Sequence, residues 1–117
     1  MLTQKRLQME NDMKVLELPL KSKWYLMIES GEKPEEYRET KPYWSKRLIG
    51  FDSPLFSHRN GYSQCNAKGY THVRFRYGYT KRSMLFKIDK IIIGRGNPEW
   101  GAPTDKDVFI IKLGERC

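Results

Sequence analysis

The segment Val108-Phe109-Ile110-Ile111-Lys112-Leu113 is apolar at both its odd and its even positions. An extended chain sends alternate side chains to opposite faces, so a strand of this kind is covered on both sides and belongs in the middle of a sheet. The other strand-like segments alternate and tolerate one wet face. In residues 15–20 (VLELPL), Leu16, Leu18 and Leu20 share a face opposite Glu17. Pro19 has no N–H to give to a ladder, so it ends the pairing there or places the strand at an edge. Over residues 71–79, Val73, Phe75 and Tyr77 point to a core, while His72, Arg74 and Arg76 share the other face. Residues 84–93 are long enough to bend, with a bulge expected near Asp89-Lys90, where the alternation changes phase.

One short helix is predicted over residues 23–30. Ser22 is its candidate N-cap, Trp24, Met27 and Ile28 lie on one face, and Gly31 stands where a left-handed cap would be. From Glu35 to Thr40 alternation puts Glu36, Arg38 and Thr40 on one face of a further strand and Tyr37 on the other. Residues 41–69 are the least regular part. Trp44, Leu48, Ile49 and Phe51 read as one apolar strand or turn, and Asp52-Ser53-Pro54 and Asn60-Gly61 mark turns. Residues 94–103 form a glycine- and proline-rich loop that presents Glu99 and Trp100. About five strands with one or two short helices predict an α+β, mainly β fold, a small mixed barrel rather than a parallel sheet.

A chain of 117 residues suits one domain. Residues 14–117 form it, and the polar residues 1–13 are expected to be an arm or a frayed helix. No apolar run approaches the length of a membrane span. The amino-terminal residues lack the apolar stretch of a signal peptide, and Cys65 and Cys117 make no disulfide framework. A cytoplasmic protein with no membrane partner is the expectation.

The net charge of +8 is unevenly placed. Residues 41–95 carry twelve Lys/Arg against two acids, together with ten of the fifteen aromatics, whereas residues 28–39 carry two Lys/Arg against five acids. Cations neutralise phosphates and ring faces stack bases, so a basic, aromatic centre suits a single-stranded nucleic acid. The same pattern also arises when the rings are core and the charges serve solubility.

Three candidate chemistries fail on spacing. Gly94-Arg95-Gly96 follows a strand, but Asn97-Pro98 and Gly101-Ala102-Pro103 break any helix that could hold a pyrophosphate, so no dinucleotide cofactor is expected. His58, Cys65 and His72, even with Asp52, match no usual zinc pattern, and no metal is expected. None of the serines stands in a nucleophile elbow. The acidic stretch remains. Lys33 sits at the turn behind the capped helix and Glu36 and Arg38 side by side on the strand that follows, where a lysine beside a carboxylate can act as acid or base and an arginine offers a fork for phosphate or carboxylate.

Read as Gly31-x-Lys33-x-x-Glu36-x-Arg38 behind a short helix, this stretch resembles the signature of the ASCH domain, within the PUA-like superfamily. Leu18-Pro19-Leu20-Lys21, the helix end Met27-Ile28-Glu29-Ser30 and the loop Gly96-Asn97-Pro98-Glu99-Trp100-Gly101 are also similar to bacterial and phage members. The resemblance spans roughly residues 14–114. It implies a small β-barrel with a cleft beside the helix, lined by Lys33, Glu36 and Arg38, and an RNA-binding role in RNA processing or regulation. Some small members are amidohydrolases that deacetylate N4-acetylcytidine through a lysine, a threonine three residues later and a distant glutamate, and a ribonuclease member is known. Lys33 matches the lysine, Glu36 stands in place of the threonine, and Glu99 is the candidate distant glutamate. A carboxylate is a poor nucleophile towards an amide. Two readings therefore stay open. In one, a binding module takes a nucleotide at Lys33, Glu36, Arg38 and Trp100, with RNA phosphates on Arg74, Arg76, Lys81 and Arg82. In the other, a hydrolase works through Lys33, Glu36 and Glu99.

Overall fold

The computed structural model describes residues 12–50 and 65–117. The candidate turns at Asp52-Ser53-Pro54 and Asn60-Gly61, and nearly all of the expected arm, lie outside them. The fold is α+β and mainly β, a curled half-barrel of five strands with two short helices. The strands are β1 (Val15–Leu20), β2 (Glu35–Glu39), β3 (His72–Tyr77), β4 (Ser83–Gly94) and β5 (Val108–Arg116). Their order across the sheet is β1-β3-β4-β5-β2, with β1 and β3 parallel and every other pair antiparallel.

The doubly apolar segment lies inside the sheet, between β4 and β2. Phe109 and Ile111 enter the main core with Leu16, Leu18, Val73, Phe75 and Ile91, while Val108 and Ile110 face a second, smaller cluster with Tyr37 and Ala102. Both faces of β5 are thus covered, as its composition demands. β1 forms one edge of the sheet, consistent with Pro19, and β4 shifts register between Phe86 and Lys90, where the alternation changes phase.

Two local readings need correction. The first helix, α1 (Ser22–Glu29), is capped by extended Lys21 with no side-chain bond, so Ser22 is its first residue rather than its N-cap. Tyr25 and Ile28 are its buried residues, with Trp24 half-buried. Gly31 follows at φ 86°, the left-handed geometry expected of it. The second correction concerns residues 42–48. They form a helix, α2 (Pro42–Leu48), and not an apolar strand or turn. Pro42 occupies the first turn, where its missing N–H is no loss, and Ser45 and Leu48 fall three apart on the buried face.

The loop between β4 and β5 folds back over the outer face of the sheet through a 3-10 turn at Pro98–Trp100. Asn97 caps that turn by accepting the Glu99 N–H at 3.0 Å. Gly96 lies close against the Tyr37 ring, so that a Cβ there would stand 2.5 Å from Tyr37 Cε1 and 2.6 Å from the Ala102 Cβ. Gly96→Ala is therefore expected to lower unfolding stability by about 1–3 kcal/mol, an overpacking penalty. Urea denaturation measures this directly; a variant as stable as the parent would show that the loop does not rest on Tyr37.

Candidate functional site

β2 positions the acidic stretch. Register with β5 places Glu36 opposite Ile111 and Tyr37 opposite Ile110, so Glu36 is on the main-core face and Tyr37 on the outer one. Lys33, just before the strand, is 2% exposed. Its Nζ lies 3.0 Å from Glu36 Oε1 and also donates to the Trp100 carbonyl. Two rings complete the enclosure, Trp24 at 4.5 Å and Tyr37 at 5.2 Å from the ammonium to the ring centroids. The second carboxylate oxygen of Glu36 meets Arg38 Nη2 at 3.0 Å. Arg38 Nη2 also donates to the Pro19 carbonyl at 3.3 Å, and the guanidinium sits 5.2 Å from the Trp44 ring centroid.

Lys33, Glu36 and Arg38 are therefore brought together as one chain of charges, with both carboxylate oxygens engaged. Desolvating an ammonium and a carboxylate is costly, and only close pairing with further hydrogen bonds offsets it. The cation–π contacts of Lys33 add about 2 kcal/mol in such a dry setting.

A second polar group stands on the outer face. The Tyr37 hydroxyl donates to Glu35 Oε2 at 2.6 Å and accepts the Asn97 N–H at 3.0 Å, while Lys112 Nζ donates to Glu35 Oε1 at 3.1 Å. Burial, reinforced by the bond to Glu35, holds the Tyr37 phenol well above its ordinary value.

Beside this network opens a pocket of about 430 Å³, lined by Tyr37, Arg38, Glu39, Trp44, Lys106 and Val108, with residues 101–103. Arg38 joins the pocket to the buried charges. Lys33 and Glu36 are behind its wall and not in it. Trp100 contributes its carbonyl to Lys33 and packs its ring against the outer cluster, and the Glu99 side chain is exposed, with no contact to Lys33 seen among the described residues.

The basic residues predicted to meet phosphate are elsewhere, on β3 and its hairpin. Arg74 pairs with Glu17 at 2.6 Å, and Arg76 lies 3.7 Å from the same carboxylate. Arg82 Nη2 meets both Glu29 oxygens, at 2.9 and 3.1 Å. Lys81 is exposed, with no acidic partner among the described residues. Trp44 and Lys106 were not legible as site residues, although Pro42 followed by Trp44 and Leu48 at helical spacing carries the signal for α2.

Compared with known proteins, the chain matches no family model, no curated protein and no solved structure. No group of His, Cys, Asp and Glu suited to a metal occurs among the described residues, and none of their helices is long and apolar enough to cross a membrane.

Two expectations follow. Glu36→Gln leaves the buried Lys33 ammonium without its counter-charge and is expected to cost about 3 kcal/mol or more in urea denaturation; a cost below about 1 kcal/mol would mean that the ammonium does not depend on Glu36. The raised Tyr37 phenol contributes stability that is present below the unfolded tyrosine value of about 10 and lost as pH rises beyond it. In an alkaline absorbance titration Tyr37 should ionise only as the domain unfolds, and Tyr37→Phe should remove that late step.

Proposed function

We propose that this chain is a nucleotide- or RNA-binding domain of the ASCH kind, and that it holds one nucleotide of a single-stranded RNA in the pocket beside Arg38. The observation that carries this reading is that Trp44, Arg38 and Lys106 line one concavity of about 430 Å³. A base offers a ring face to the Arg38–Trp44 stack, and a phosphate offers charge to Arg38 and Lys106. The pocket's volume suits a small ligand. Its carboxylate, Glu39, already pairs with Lys41 at 2.8 Å, so it opposes an anion weakly.

The same geometry favours binding over hydrolysis. Glu36 has both oxygens committed to cations, and Lys33 is committed to Glu36 and a backbone carbonyl. Neither reaches the pocket, and Glu99 does not join them. A nucleophile or general base needs a lone pair within reach of the reacting atom, and these groups have none to offer there.

Titration of short single-stranded RNA, followed by tryptophan fluorescence, is expected to give micromolar-range binding that weakens steeply with added salt. Arg38→Ala and Trp44→Leu should each weaken it about tenfold. Absence of binding at low ionic strength, or binding indifferent to salt, overturns the proposal. Incubation with N4-acetylcytidine and with RNA tests the hydrolase reading, which gains only if turnover exceeds that of Lys33→Met.

A further inference from the structure

Tyr79 is 99% exposed, at the tip of the hairpin that joins β3 to β4. A large ring standing wholly in water usually belongs to a loose segment, and this hairpin is tightly tied. The Tyr77 N–H donates to the Arg82 carbonyl at 2.9 Å, closing the turn from Gly78 to Lys81. Thr80 braces it from inside: its hydroxyl donates to the Tyr77 carbonyl at 2.6 Å and accepts the Arg82 N–H at 3.3 Å. Gly78, at φ 59°, donates its N–H to the Leu20 carbonyl at 2.9 Å, fastening the tip to the end of β1. Below the turn, Arg82 lies 5.0 Å from the Tyr77 centroid and 5.3 Å from the Tyr25 centroid while it binds Glu29. The ring is thus presented by a fixed support.

Its surroundings are basic. Lys81 is two residues away, and Lys21 directly follows the residue that anchors Gly78; both are exposed, with no acidic partner among the described residues. Glu29 is engaged by Arg82 of the hairpin, and Glu17 of β1 by Arg74 with Arg76. The pocket and the tip are linked across the end of β1: Arg38 in the pocket wall donates to the Pro19 carbonyl, and Gly78 of the hairpin donates to the next carbonyl, that of Leu20. A ring face flanked by unpaired ammonium groups is the pattern that takes a base and its neighbouring phosphates.

Resting on the pocket reading above, we propose that the hairpin tip is a second contact for the same nucleic-acid strand: a base outside the pocket stacks on Tyr79, with phosphates on Lys21 and Lys81. Recognition then spans several nucleotides, from the Arg38–Trp44 pocket across the end of β1 to the hairpin, and the domain prefers an extended strand to a free nucleotide.

The test compares a nucleoside monophosphate with single-stranded RNA of about eight residues, a length within the usual reach of a single small domain. Tyr79→Ala is expected to weaken the longer ligand about tenfold and to leave the mononucleotide unchanged, whereas Tyr79→Phe, which keeps the ring face, should bind both as the parent does. In a Tyr79→Trp variant, the component of fluorescence quenching beyond that of the parent should appear with the oligonucleotide and not with the mononucleotide. All three substitutions are at a fully exposed position, so folding is preserved. If Tyr79→Ala binds the oligonucleotide as tightly as the parent while Trp44→Leu still weakens it, the hairpin contact is overturned and the pocket stands. If the parent binds neither ligand, both fall. Equal loss of mononucleotide and oligonucleotide binding in Tyr79→Ala would likewise overturn a separate contact, as would an affinity of the parent for anionic lipid vesicles that the Tyr79 variants lose while RNA binding persists.

Discussion

The ammonium of Lys33 is the group on which this structure depends. It is enclosed by Trp24 of α1, Tyr37 of β2, the Trp100 carbonyl of the β4–β5 loop and the carboxylate of Glu36, four partners from three separated parts of the chain. An ammonium withdrawn from water tolerates little displacement of its partners, because each lost contact leaves charge uncompensated in a poorly polarisable setting. The lysine therefore fixes the distance between helix, strand and loop more strictly than apolar packing alone would. Apolar side chains slide and repack at modest cost, and a buried charge pair does not.

From that point the constraint passes outward. Glu36 holds Arg38, Arg38 holds the Pro19 carbonyl and sits over Trp44, and Arg47 of α2 lies over Trp44 while donating to the Glu17 carbonyl at 3.4 Å. Two guanidinium groups thus occupy carbonyls of β1, one of the two edge strands of the half-barrel. Pro19 removes a donor from the same strand. An unprotected edge is a template for unwanted strand pairing, and here it is blunted by arginine and proline. The contacts that close the sheet also build the pocket wall, since Arg38 and Trp44 belong to both.

This division explains what was legible in the chain. Strand content, the interior position of β5, the edge position of β1 and the bulge in β4 were readable because each follows from alternation or from the missing N–H of proline, which are local properties. The grouping of Lys33, Glu36 and Arg38 was readable for a similar reason, being set by spacing along one turn and strand. What escaped depended on distant partners. Lys33 reads as a cleft residue open to a ligand until Trp24 and Trp100 are brought to it from nine residues upstream and sixty-seven downstream. Arg74, Arg76 and Arg82 read as free cations until Glu17 and Glu29 are seen beside them. The helix α2 was obscured by apolar residues too few to separate a helical from an extended period, although Pro42 marked its start.

Pairing changes what the net charge means. A chain carrying +8 attracts anions at long range whatever its internal contacts, but the close contacts are made by cations that still have donors to give. Arginines tied to Glu17 and Glu29 contribute to the field and little to docking. Lys21 and Lys81 are exposed and have no acidic partner among the described residues, and Lys106 is exposed in the pocket wall. All three lie outside β3: just before α1, in the β3–β4 hairpin and in the β4–β5 loop. Under the proposed reading, long-range attraction and short-range recognition would be separate: the β3 arginines would add to the field that draws an RNA strand in, and the pocket and the hairpin would make the close contacts.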